Sequence, residues 1–155
     1  LINSVITRAN TPYLPVMAKL FVSLGVDQFQ LAFPHALGSA GENFDEIVPR
    51  LSEAEPYVKR ALQIGIEQGV SCMTEGIPLC FLRGYEARAA EWVIPRTKIF
   101  DATMVIDDYT LARWEHAKLR GECCQSCWWL NRCEGPWREY PEHFGWDEFV
   151  PAKET

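Results

Sequence analysis

The 155 residues suffice for one domain with a real core, and a hydrophobic content of 48% is ordinary for a globular chain. A net charge of −6 weighs against nucleic acid as a partner, because counterion release needs a basic surface. No apolar run is long enough to span a membrane, so no membrane association is expected.

The chain opens Leu1-Ile-Asn-Ser-Val-Ile6, without a basic leader and cleavage site and without an initiator Met, which reads as a piece of a longer polypeptide. Residues 2–8 are β-branched and short and predict a strand. Asn10 or Thr11 then caps a helix with Pro12 just inside its start. Leu14, Met17, Phe21 and Leu24 repeat at helical spacing, and Gly25 stops the helix. Residues 27–33 form a second strand, expected to lie parallel to the first through a right-handed crossover. A long loop over 34–51 carries Gly38 and Gly41. Ser52-Glu-Ala-Glu55 reads as a capping box opening a helix through Gln68, with Gly69 behind it, and residues 70–77 form a third strand stopped by Pro78. This β-α-β-α-β order belongs to a doubly wound sheet or a barrel.

Beyond Cys80 the periodicity weakens. Residues 84–92 suggest a short helix and 98–106 a β-favouring run. Asp107 or Asp108 caps a helix to about Leu119, with Leu111 and Trp114 inward. Residues 121–155 are rich in Trp, Pro and Gly and read as an irregular cap.

The cap contains Cys124-x2-Cys127-x5-Cys133, and Cys80 sits just past the third strand, on the edge where function collects in α/β sheets. Six unevenly spaced cysteines in a chain this size favour metal ligation in a reducing, cytoplasmic compartment over disulfides. Four thiolates suit a [4Fe–4S] cluster, and they equally suit a structural zinc. Cys123 is read as a bystander beside Cys124, and Cys72 as a small core hydrophobe.

Taken together, Ile2-Asn-Ser-Val-Ile-Thr7 with Asn10, Phe29-Gln-Leu-Ala-Phe-Pro-His35, Ile77-Pro-Leu-Cys80 and Cys124-x2-Cys127-x5-Cys133-x-Gly135-Pro136-Trp137-x2-Tyr140 resemble the C-terminal half of a radical S-adenosylmethionine enzyme of the SPASM or twitch kind. The resemblance implies the C-terminal half of a partial (β/α)6 barrel over residues 1–83. A connecting segment and auxiliary cluster-binding cap follow over 84–155. It implies an auxiliary [4Fe–4S] cluster on Cys80, Cys124, Cys127 and Cys133. The complete parent, with the missing N-terminal half of the barrel, would bind S-adenosylmethionine at a second [4Fe–4S] cluster. Its 5′-deoxyadenosyl radical would abstract hydrogen from a peptide or small-molecule substrate. The radical-generating C-x3-C-x2-C is absent here, so this chain alone is not expected to cleave the cofactor. Asn3 and Gln30 stand on strands where the family presents polar groups to the cofactor, against the plainer reading of ordinary strand residues. The competing class is a non-enzymatic α/β domain with a structural four-cysteine zinc site.

Other residues carry two readings. His35 is a proton shuttle or a loop hydrogen-bond partner. Glu75 contacts substrate at the barrel mouth, or pairs with an Arg such as Arg83 or faces solvent, the second being favoured. His116 and His143 read as surface residues. The cap aromatics Trp128, Trp129, Trp137, Tyr140, Phe144 and Trp146 read as packing that replaces a regular core.

Overall fold

A computed structural model describes residues 1–154. Three parallel strands, β1 (Ile2–Val5), β2 (Gln28–Ala32) and β3 (Ser71–Glu75), form an open sheet in the order β1-β2-β3. The crossovers are α1 (Leu14–Ser23) and α4 (Leu51–Glu67), which pack on each other and on the sheet. Phe29, Leu31 and Cys72 point into this layer and are buried, as strand alternation requires. The mixed α/β class and parallel order thus follow the sequence reading, although the sheet does not close into a barrel.

Several local expectations need correction. Asn10 does not cap a helix. Its side chain turns back to β1, accepting from the Thr7 N–H and donating to the Val5 carbonyl, both at 2.8 Å. This turn ends the first strand at Val5, well short of residue 8. A 3₁₀ turn over Thr11–Tyr13 precedes α1, whose buried face is Leu14, Ala18 and Phe21. Leu24, at 65% exposure, is not part of that face. The capping box lies two residues earlier than Ser52: the Arg50 N–H donates to the Glu53 carboxylate at 3.4 Å. The 34–51 loop is less irregular than expected and contains two short helices, α2 (Ser39–Glu42) and α3 (Phe44–Ile47).

The C-terminal segment supplies further capping of α4. The Leu51 N–H donates to the Tyr140 hydroxyl at 2.7 Å, and the Ser52 N–H to Glu148 at 3.0 Å. Tyr140 in turn hydrogen-bonds Glu148. Tyr140→Phe leaves the buried Leu51 N–H without its acceptor, so it is expected to cost about 1–3 kcal/mol. Urea denaturation of the variant checks this.

Residues 84–92 form two 3₁₀ turns, Glu86–Arg88 and Ala90–Trp92, instead of one helix. The 98–106 run is a small antiparallel hairpin of β4 (Ile99–Phe100) and β5 (Val105–Ile106), separate from the main sheet. Asp108 caps α5 (Tyr109–Ala112), its carboxylate accepting the Leu111 N–H at 3.0 Å. The chain continues as a π-helical turn over Arg113–Ala117. That turn places Arg113 inward, whereas Leu111 is 49% exposed and Trp114 lies beneath the Arg120 guanidinium. The cap contains a 3₁₀ turn, Glu122–Ser126, and α6 (Glu139–Phe144). Among the described residues no helix is long and apolar enough to cross a membrane.

Candidate cysteine centre

The exit from β3 fixes the first thiol. Gly76 has φ +77°, and a Cβ there would meet the Trp137 indole nitrogen at 2.8 Å. Pro78 then starts the 3₁₀ turn Leu79–Phe81, and buried Leu79 and Phe81 hold Cys80 between them. Phe81 packs edge-on against Phe149, which ties the turn to the C-terminal segment.

The other three thiols come from the cap. Cys124 lies in the 3₁₀ turn, and the Cys127 N–H closes on its carbonyl at 2.9 Å. The Trp128 N–H donates to Ala152, and the Cys133 N–H to Trp129, each at 2.8 Å. Arg132 stacks over Trp92, anchoring the x5 stretch to the segment after β3. Trp137 seats the cap on the sheet: its indole donates to Phe33 at 3.3 Å, its ring stacks with His35, and Lys118 lies over it.

Cys80, Cys124, Cys127 and Cys133 line one small cavity of about 20 Å³, together with apolar Pro78, Leu130, Pro136 and Phe149 and the single cation Arg120. The three cysteines singled out by spacing and Cys80, singled out by its place after the third strand, thus line one cavity although separated by up to 53 positions. All six cysteines are free thiols. Cys72 is buried in the core as expected, its sulfur against the position where a Cβ on Gly65 would stand. Cys123 packs against the core edge and does not line the cavity. Among the described residues, no three His, Cys, Asp or Glu side chains are gathered closely enough to hold a single metal ion.

The electrostatics oppose bare thiolates at Cys80, Cys124 and Cys133. Burial, then repulsion from Cys133, Cys127 and Cys124, pushes the Cys80 thiol strongly up. Burial and neighbouring Cys123 push Cys124 up to about 11. Burial also raises Cys133, against backbone hydrogen bonding at Leu79 and Gly135 and the charge of Lys118. The Leu79 N–H reaches the Cys133 sulfur at 3.5 Å. Thiols in such a setting ionise together only onto a cationic centre.

A buried ion network borders the centre. Arg113 grips Glu134 through Nε at 3.0 Å and Nη2 at 2.9 Å, and Lys118 bridges Glu91 at 2.8 Å and Glu134 at 3.0 Å. Glu91 also accepts the Gly76 N–H at 2.8 Å. Burial alone would lower the Lys118 pKa, but Glu91 and Glu134 reverse this and raise it. Burial likewise opposes ionisation of Glu134, and the Arg113 bond with the Lys118 charge overcomes it and lowers its pKa. Sequence reading missed this network. The four residues share no spacing that a sequence reading could have picked out.

Gly135 has φ +83°, and a Cβ there would lie 1.9 Å from the Leu119 carbonyl oxygen. Only glycine fits between Cys133 and the Leu119–Pro136 hydrogen bond. Gly135→Ala is expected to destabilise the protein by about 2 kcal/mol or more and to weaken metal retention. Thermal unfolding with and without metal checks both effects.

Asn3 and Gln30 pair in register and lie on the sheet face opposite α1 and α4. Asn3 is exposed, and the Gln30 amide donates to Glu75 at 2.7 Å. Glu75 is therefore not paired with Arg83, whose guanidinium donates to the Val150 and Pro151 carbonyls. The three side chains make a polar helix-free face, separate from the cysteine cavity. His35 stacks on Trp137 and lies 3.4 Å from Glu139, which fits the loop-partner reading. His116 is exposed beside Glu115, whereas His143 contacts Asp45 and stacks on Phe44. Trp137 and Tyr140 are buried as packing residues, but Trp128 is exposed.

No family model matches the chain, and neither curated proteins nor solved structures give a match.

Proposed function

We propose that Cys80, Cys124, Cys127 and Cys133 hold an auxiliary [4Fe–4S] cluster in a cytoplasmic radical S-adenosylmethionine enzyme, of which this chain supplies the C-terminal half. The carrying observation is the convergence of these four thiols on one apolar cavity at the C-terminal edge of a parallel sheet. The donor set suits iron–sulfur chemistry, since four Cys thiolates are the usual ligands of a [4Fe–4S] cluster. A single tetrahedral zinc needs its sulfurs about 3.8 Å apart, given a Zn–S bond of about 2.3 Å. Metal–sulfur bonds lie inside van der Waals contact, so a bonded group takes up more room than the free space between uncoordinated thiols.

When bound, the cluster would relay electrons or ligate substrate. The chain's own residues have definable tasks. The Leu79 N–H stabilises the Cys133 thiolate, the apolar wall excludes water, and Arg120 offsets part of the negative charge. The open face carrying Asn3, Gln30 and Glu75 would turn toward the cofactor once the preceding βα units complete the partial (β/α)6 barrel. Hydrogen abstraction by the 5′-deoxyadenosyl radical belongs to that complete parent, with its second cluster and its S-adenosylmethionine.

The gene upstream of Leu1 tests the enzymatic half of this reading. A C-x3-C-x2-C following a strand, with reductive release of 5′-deoxyadenosine by the full-length protein, is the expected result. A complete upstream sequence lacking that motif would overturn it.

A further inference from the structure

The turn after Cys80, the cap and the C-terminal segment enclose a second cavity of about 330 Å³. That size falls at the lower end of small-molecule sites, which span roughly 300–1,000 Å³. Hydrogen bonds between the three segments hold its walls in place. The Trp128 N–H donates to the Ala152 carbonyl at 2.8 Å. Arg83 Nη2 donates to the carbonyls of Val150 at 2.8 Å and Pro151 at 3.3 Å. Trp129 is fixed by an edge-on contact with Trp92 and by Arg132 over its ring. The cavity is therefore preformed, and a ligand entering it spends little free energy on ordering the walls.

Its chemical groups are within reach of solvent. Trp128 is 53% exposed, and among the described residues no aromatic ring or cation lies against its indole. An indole is the largest apolar surface a side chain offers, and it is usually well covered. Val150, in the same lining, is also exposed. Arg83 and Lys153 line the cavity as exposed cations. Among the described residues neither has a carboxylate partner, and Arg83 Nε and Nη1 have no acceptor. The lining contains one acid, Glu86, so two cations and one carboxylate leave one positive charge in excess. In a chain of net charge −6, a locally positive cavity selects an anion.

We propose that this cavity binds a small aromatic carboxylate. Its ring stacks on Trp128 and covers Val150, and its carboxylate meets Arg83 and Lys153. A flat ring is favoured because paired aromatic rings gain attraction beyond their buried area. The Arg83 fork, with two nitrogens free, matches a carboxylate better than a point cation would. The site stands independently of which metal the cysteines hold. Trp128 directly follows Cys127, and Arg83 lies three residues past Cys80, so the ligand would bridge two of the segments that deliver the thiols.

Titration of the protein with 2-naphthylacetate, followed by calorimetry and by amide chemical shifts, tests the proposal. Binding is expected to shift residues 83–86, 128–129 and 150–153. The neutral 2-naphthylacetamide is expected to bind at least tenfold more weakly. Decahydro-2-naphthylacetate, which keeps the charge but lacks the flat ring, is expected to bind at least threefold more weakly. Trp128→Ser and Lys153→Glu alter exposed side chains and leave the Trp128 N–H bond in place, so the fold should survive. Each is expected to weaken 2-naphthylacetate at least fivefold, with chemical shifts outside the cavity unchanged. Absence of 2-naphthylacetate binding, equal binding of the three compounds, or shifts confined to other residues would overturn the proposal.

Discussion

Cys80→Ala is expected to lower iron from about four per chain to below about one, although Cys80 lies 44 residues from Cys124. The reasoning is geometric: the turn after β3 delivers Cys80 to the same cavity as the cap cysteines, and its thiol is opposed in ionisation by all three. Removing one of the four proposed ligands would open an iron of the cluster to solvent. Cys72→Ala is the control. That thiol is buried between α4 and β3, so its loss leaves the iron content unchanged. Iron analysis of the two anaerobically purified variants decides the matter. Full iron in Cys80→Ala would remove Cys80 from the centre and bring Cys123 into it.

Lys118→Met is expected to cost about 3–5 kcal/mol, the usual penalty for breaking a buried ion pair from one side. Lys118 is buried against the face of Trp137 and serves both Glu91 and Glu134. With the ammonium gone, Glu134 keeps Arg113 while Glu91 keeps only the Gly76 N–H among the contacts described above. Glu91, with a side chain only 14% exposed, would then have lost its cationic partner. Chemical denaturation should show a lower midpoint with an unchanged slope, since the surface exposed on unfolding stays the same. A midpoint within error of the parent protein would mean that the network contributes nothing to stability.

Much of the architecture was legible because local chemistry and tertiary demand agree there. Gly25 and Gly69 end helices with φ +68° and +67°, and the alternation in β2 and β3 matches their buried faces. The sequence misleads where a side chain serves a distant partner. Asn10 looks like a cap but closes the turn after β1, and the N-terminus of α4 is satisfied by Tyr140 and Glu148 from about ninety positions away. Leu24 and Leu111 fit an apolar period yet face outward, because periodicity does not reveal which stripe a neighbour covers.

The candidate centre divides the same way. Three of its cysteines stood out by spacing, and the position of Cys80 past a strand put it at the sheet edge where it lines the same cavity. The ion network did not, because Glu91, Arg113, Lys118 and Glu134 share no motif and meet only through the π-helical turn and the cap. The pairing of Gln30 with Glu75 needed the β2–β3 register, which sequence alone does not supply.

The most direct test is the metal content of the anaerobically purified protein, measured as iron, acid-labile sulfide and zinc beside the visible spectrum. About four iron and four sulfide per chain, with broad brown absorbance, is the predicted result. About one zinc per chain in a colourless protein would contradict it and make the four-cysteine centre a structural zinc site.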